Sequence, residues 1–357
     1  MGWVRSSLRG QDDKAAGSAV QAGSAAQAWE GGVMIIGAMT TTTFSGGALR
    51  LADWGLIQAQ GTDAASFLHG QLTQDVTALG SDSARLAGFC SAKGRLQASF
   101  VLWRQPVDTA TDTPADTLML ACSADLLAPT LKRLSMFVLR SQCKLRDASG
   151  DTALYGLVGE AAAQWLGEAL PAQPWRVCSR GLARVIRLPD AEGQLRCLLA
   201  QPADAAAPAL PLVSDEQWRW LEVRSGVARV MAATAEHFVP QMINFELVGG
   251  VNFQKGCYPG QEVVARSQYR GTLKRRAMLF DSDAVLAPGQ EVFHSADPGQ
   301  PAGQVVLAAS RPDGPGGSAL VEVKLAALAQ GSLHAGSAEG PLLRPAALPY
   351  PIPADQG

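Results

Sequence analysis

The chain has 357 residues, enough for two or three packed units around a sizeable core. Hydrophobic residues make up 47%, which excludes disorder throughout, and 32 acidic against 30 basic side chains leave a net charge of −2. That balance argues against holding nucleic acid by bulk electrostatics, and direct nucleic-acid binding is not expected.

The first 43 residues, rich in Ala, Gly, Ser and Gln, lack helical or strand periodicity and are expected to be a disordered tail, with Met39 a candidate start. Val33-Met34-Ile35-Ile36 is too short for a signal-peptide core. No apolar run approaches the roughly 18 residues of a membrane span. A cytoplasmic protein without a membrane partner is therefore expected.

Ordered sequence is predicted from about Phe44, with strands at Ala48–Leu51 and Trp54–Gln60. Thr62 and Asp63 offer cap chemistry for a helix carrying Phe67, Leu68, Leu72 and Val76. Strands at Leu96–Trp103 and Thr117–Ala121 flank a polar loop, 108–116. From Asp125 to Val138, Leu127, Leu131, Leu134 and Val138 share one helical face, and Pro129 falls near the first turn. Further strands are predicted at 142–147, 153–158, 182–188 and 195–200, with a helical segment at 160–170. Such irregular alternation indicates α+β rather than a doubly wound sheet. After Leu273, short strands at 276–280, 291–294, 304–309 and 319–324 separated by Pro-Gly and Gly-Gly turns have the spacing of a small barrel. Residues 331–357 are expected to fray.

Six cysteines (Cys90, Cys122, Cys143, Cys178, Cys197 and Cys257) are widely spread with no CxxC pair. Four of them lie in apolar or alternating runs and read as small buried hydrophobes in a reducing compartment. No metal site and no disulfide framework is predicted. Cys257 differs. It lies in Lys255-Gly256-Cys257-Tyr258-Pro259-Gly260-Gln261-Glu262, where Pro and Gly take the central places of a type II turn. Gln261 and Glu262 then open a segment with helical potential. A thiol near a helix N-terminus, with Lys255 and Arg266 in the same segment, has the setting of a reactive thiolate. A plain loop cysteine fits the spacing equally well.

This segment resembles the KGCYxGQE signature of YgfZ-type proteins, relatives of the folate-dependent aminomethyltransferase of the glycine cleavage system. Phe67-Leu68-His69-Gly70-Gln71-Leu72-Thr73-Gln74-Asp75-Val76 resembles the family's early FLxGQxTxDV stretch. Ala92-Lys93-Gly94-Arg95 resembles its AKGK/R loop, and Pro240-Gln241-Met242-Ile243-Asn244 its approach to the signature. The resemblance covers roughly Leu49 to Lys324. It implies a T-protein-like ring: two intertwined α+β subdomains over residues 44–272 around a central folate channel, then a C-terminal β-barrel over 273–330.

The function it implies is folate binding in the assembly or repair of iron–sulfur enzymes, including some that modify tRNA. The implied cofactor is tetrahydrofolate or a derivative, and the implied partners are iron–sulfur client proteins or their assembly machinery. Cys257 is the implied working thiol. Lys93, Glu222, Arg224, Lys255, Gly256, Tyr258, Gly260, Gln261, Glu262 and Arg266 are the implied folate-side set. A folate-dependent one-carbon transferase and a tRNA-binding or tRNA-modifying protein stay open as alternatives.

Two departures from the family's pattern matter. Where active aminomethyltransferases carry a catalytic aspartate, this chain has Gln97 and Ala98, neither able to act as a carboxylate. Where the family has (I/L)EAG, this chain has Val223-Arg224-Ser225-Gly226. Glu222 replaces the missing acid if the segment is extended, since alternate side chains then share a face. Arg224 is left either for the ligand's carboxylate tail or for a core ion pair. Trp218 and Trp220 suggest one face of a strand, the four histidines structural or solvent-facing roles, and Lys274-Arg275-Arg276 a solvated charge run.

Overall fold

The computed structural model describes residues 45–105, 116–269 and 273–353. The proposed N-terminal tail and most of the 108–116 loop lie outside these. Strands β1 (Gly47–Arg50) and β2 (Trp54–Gln60) precede helix α1 (Ala64–His69), followed by β3 (Ala84–Cys90), β4 (Leu96–Gln105) and β5 (Thr117–Ser123). Helix α2 (Ala124–Ser135) leads to β6 (Lys144–Asp147), β7 (Thr152–Val158), helix α3 (Gly159–Leu166), β8 (Val177–Arg180), β9 (Ala183–Ala191) and β10 (Gln194–Pro202). Helices α4 (Asp215–Arg224) and α5 (Gln261–Tyr269) follow. Strands β11 (Arg275–Ser282), β12 (Glu291–His294), β13 (Asp297–Ser310), β14 (Gly317–Lys324), β15 (Leu333–Ala335) and β16 (Leu342–Ala346) end the chain.

The strands build two five-stranded sheets, ordered β3-β4-β5-β2-β6 and β1-β7-β10-β9-β8, and a closed barrel ordered β11-β14-β13-β12-β15-β16. This is the expected α+β class with a C-terminal barrel. One apolar cluster joins the sheets, with Leu56, Trp103 and Met119 from the first and Val158, Ile186 and Leu198 from the second. Trp218 of α4 completes it. A carbon at the Cβ position of Gly156 would stand 2.5 Å from the Trp218 ring, so the missing side chain is what lets the indole seat on β7.

Several expectations are corrected. The first helix stops at His69; Leu72 and Val76 are buried from a turn-rich segment, not from a helical face. Asp63 makes no side-chain cap there, and its carboxylate accepts from the Gln142 N–H at 2.7 Å instead. The second helix ends at Ser135, leaving Met136, Phe137 and Leu139 exposed. Strands β3 and β8 carried no recognised pattern.

Two further corrections reach the site. Residues 215–224 form a helix, not a strand, started by a capping box in which Ser214 and Gln217 satisfy each other's N–H groups. Residues 333–346 do not fray, because β15 and β16 close the barrel: Leu279 pairs with Ala346 and Val292 with Ala335.

Candidate functional site

Four sequence stretches read as separate motifs meet around the loop at Cys257. The segment after α1 binds the chain that leads into this loop. Thr73 Oγ1 donates to Gly250 O at 2.6 Å, Gln74 Nε2 to Gly249 O at 2.7 Å, and the Asn252 N–H to Thr73 O at 2.9 Å. Lys255 returns the contact. It is buried, and its Nζ donates to Leu72 O at 2.8 Å and to His69 O, while resting 4.9 Å over the Tyr258 ring. The His69 carbonyl finishes α1, where a cation suits the exposed end of the peptide dipoles, and the Leu72 carbonyl belongs to the turn that follows. Burial pushes the Lys255 amine down to about 8, opposed by the charges of Asp75 and Cys257.

The turn that follows is the one its Pro-Gly pair predicts. Gly260 has φ of 79° and the Gln261 N–H closes on Tyr258 O at 3.2 Å. A carbon at the Cβ position of Gly260 would lie 2.3 Å from Ser91 O and 2.7 Å from the Gly94 Cα. Gly94, itself at φ 71°, is likewise pressed on Val263. The Lys93-Gly94 loop and the Cys257 loop therefore touch through two glycines, with Lys93 exposed beside them. Sequence alone could not show this contact.

The Pro240–Asn244 stretch is scaffolding. Gln241, fully buried, donates to Val264 O of α5 at 2.8 Å, and Asn244 donates to Ala277 O of the barrel at 2.7 Å. Arg276 reaches both residues and pairs with Glu246. Arg275 Nη1 donates to both oxygens of the Glu322 carboxylate, at 2.8 and 2.7 Å. The basic cluster is thus corrected, since two of its three charges hold the barrel in place and are not a solvated run.

Within this frame Cys257 is exposed, whereas Cys90, Cys122 and Cys197 are buried and pushed up to about 12 by desolvation. Burial is also the first cause raising the Tyr258 phenol. Glu262 and Arg266 pair with each other at 2.9 Å on the exposed face of α5. Gly256 is exposed, and Gln261 begins α5.

Glu222 and Arg224 belong elsewhere. Two positions apart on a helix they cannot share a face, and they part company. Glu222 is buried and lines a small cavity of about 40 Å³ with Trp54, Ser99, Trp175, Arg196 and Arg229. Its carboxylate faces Arg229, whose Nη2 donates to Glu222 at 3.1 Å and to Asp53 at 2.9 Å. Trp54 Nε1 and Arg196 Nε, both from lining residues, are buried without hydrogen-bond partners. Arg224 pairs with Glu192 and, at 3.2 Å, with Asp281 of β11; the ion-pair alternative is the one the fold adopts. Trp220 lies 5.5 Å under the Arg224 guanidinium and Trp218 is core.

Two residues with chemical potential have no role assigned from the sequence. Glu236, held at φ 64°, accepts a hydrogen bond from Gln97 Nε2 beside a groove of about 520 Å³. Asp75 receives Thr77 Oγ1 at 2.7 Å, the Ala78 N–H at 3.1 Å and His69 Nδ1 at 3.0 Å, and the first of these contributes most to lowering its pKa.

No family model matches the chain. Among curated proteins, the tRNA-modifying protein YgfZ of Edwardsiella ictaluri is 32% identical over 250 residues, spanning 67% of this chain and 72% of that protein. Its namesakes from Photobacterium profundum and Escherichia coli O127:H6 are 31% and 27% identical, each over 248 residues. Among solved structures, the glycine cleavage system aminomethyltransferase T of Bartonella henselae superposes with a TM-score of 0.65 at 16% identity, covering 84% of each chain. That likeness is one of fold.

Proposed function

This chain belongs to the YgfZ family of tRNA-modifying proteins, and from that premise we propose that it is a folate-binding accessory protein for the assembly or repair of iron–sulfur enzymes, tRNA-modifying ones among them, with Cys257 as its working thiol. The observation that carries the proposal is the placement of that thiol. Cys257 is exposed, yet Lys255, two residues before it, and Tyr258, directly after it, are buried, and Lys255 is anchored to two carbonyls. A loop so fixed presents sulfur outward in one geometry, as a thiol must be to engage a partner's cluster.

The polar groups around the cavity at Glu222 match those a folate head group presents. Its volume, about 40 Å³, is well below the roughly 300–1,000 Å³ of ligand pockets, so its walls would have to part for a flat heteroaromatic ring to enter. A carboxylate can accept the ring's N–H donors, while Trp54 Nε1 and Arg196 Nε are unused donors for its carbonyl and ring nitrogens. Bound folate would supply a one-carbon carrier or a conformational clamp, and Glu222, Trp54 and Arg196 would orient it.

The test is to replace the native gene with Cys257→Ala and assay an iron–sulfur tRNA-modifying enzyme in the cell. The expected result is loss of that activity with a full complement of folded protein. Undiminished activity would falsify the proposal.

A second reading, folate-dependent one-carbon transfer, is favoured by one observation. Glu236 brings a carboxylate to Gln97, near the place where the sequence lacks an acid. Under that reading Glu236→Gln, not Cys257→Ala, abolishes function.

A further inference from the structure

His69 ends α1 and its ring is anchored through one nitrogen. Nδ1 lies 3.0 Å from the Asp75 carboxylate, an acceptor only, so Nδ1 carries the hydrogen and Nε2 presents a lone pair. No described residue hydrogen-bonds that Nε2. A carbon at the Cβ position of Gly256 would lie 3.4 Å from it, so this nitrogen lies beside the residue directly preceding Cys257. The ring is partly open to solvent and Cys257 is exposed, and consecutive Cα atoms are only about 3.8 Å apart.

We propose that His69, oriented by Asp75, is the proton acceptor for the Cys257 thiol. The sulfur–hydrogen bond breaks, the proton passes to Nε2 directly or through one water, and the electron pair stays on sulfur. The resulting thiolate faces an imidazolium held by the Asp75 carboxylate. Nucleophile, base and orienting acid then follow the same logic as other activated thiols. This deepens the reading above, because it rests on Cys257 working as a thiolate.

The surrounding charges act in the same direction. Lys255 from the loop and exposed Lys93 from the adjoining loop are cations. Glu262 of α5 is the opposing carboxylate and is paired with Arg266. Tyr258 and Cys90 stay neutral through burial.

The test follows alkylation of Cys257 by iodoacetamide from pH 5 to 10 in the full-length protein, resolved by peptide mass spectrometry. His69→Gln is expected to slow the reaction at pH 7 about tenfold and to move its midpoint up by about one unit. Asp75→Asn, which keeps the shape but not the charge, is expected to move it the same way by less. Profiles of both variants superimposing on the wild type would overturn the proposal. The two readings fail separately. A shifted profile combined with undiminished cellular activity of Cys257→Ala would sink the iron–sulfur role and leave the His69–Cys257 pair standing.

Discussion

Gly94 and Gly260 meet at a distance that no side chain could share: a carbon on Gly260 would stand 2.7 Å from the Gly94 Cα. Both hold positive φ, at 71° and 79°. Any L side chain at 260 therefore meets backbone strain of about 1–2 kcal/mol and a clash with Ser91 O as well. Gly260→Ala is expected to cost at least about 2 kcal/mol and to free the thiol loop from the Lys93 loop. Urea denaturation and hydrogen exchange at residues 256–264 would check it; an unchanged midpoint would mean the loops do not touch in solution.

The buried Lys255 amine makes a signed prediction about pH. Its pKa is about 8 in the folded protein, against roughly 10.4 for an unfolded lysine. Between those values the unfolded chain binds a proton that the folded one does not, so this residue's contribution rises with pH across that window. Below about 8 both states are charged and the cost of burial is fully present. The stability of wild type relative to Lys255→Met should therefore grow from pH 8 to 10. A difference that stays flat over that range would show an amine of ordinary basicity.

Glu222 and Arg224 are expected to be separable in the proposed folate binding. Glu222 lines the cavity and Arg224 is occupied by Glu192 and Asp281. Glu222→Gln is expected to weaken calorimetric tetrahydrofolate binding about tenfold or more, the scale of one charge-assisted hydrogen bond. Arg224→Ala should leave that affinity within about twofold while lowering stability. The opposite ranking would place the pterin on the Arg224 side of α4.

The C-terminal segment is predicted to be indispensable. Tyr350 donates to Gly226 O at 2.8 Å and accepts from Asn244 at 3.3 Å, tying the end of the chain to the segment after α4. Tyr350→Phe is expected to cost about 1 kcal/mol in thermal or urea unfolding. Truncation after Gly331 removes β15 and β16 and leaves β11 and β12 with open edges, so the expected product is aggregated. A soluble, cooperatively folding truncation would contradict this.

What was legible in the sequence follows from where the information resides. Strands such as β2 and β12 were bounded correctly because their alternation is local. The segment at 215–224 was misread because Trp218 and Trp220 mimic a two-residue repeat. Its Ser214-x-x-Gln217 cap, a readable signal, was the better guide. The turn region after α1 imitates a helix because Leu72 and Val76 are apolar at the right spacing. Bonds to Gly249 and Gly250, far along the chain, are what bend it. At the site, the motif at 255–262 announced itself, but its assembly did not. Arg229 draws on Asp53, 176 residues away, and nothing local in the sequence marks such a partner.

The bond from Lys255 to the carbonyl of Leu72 spans 183 residues of chain. Closing a loop of that length costs roughly 4–5 kcal/mol in chain entropy, and no short stretch of the polypeptide can recover it alone. During synthesis the first half of this surface leaves the ribosome long before the second exists. The nascent protein therefore carries Cys257 only as an ordinary cysteine, and the sulfur gains its rigid, charged surroundings in the same step that completes the molecule. Under the proposed role, a reactive Cys257 would therefore mark a molecule that has finished folding.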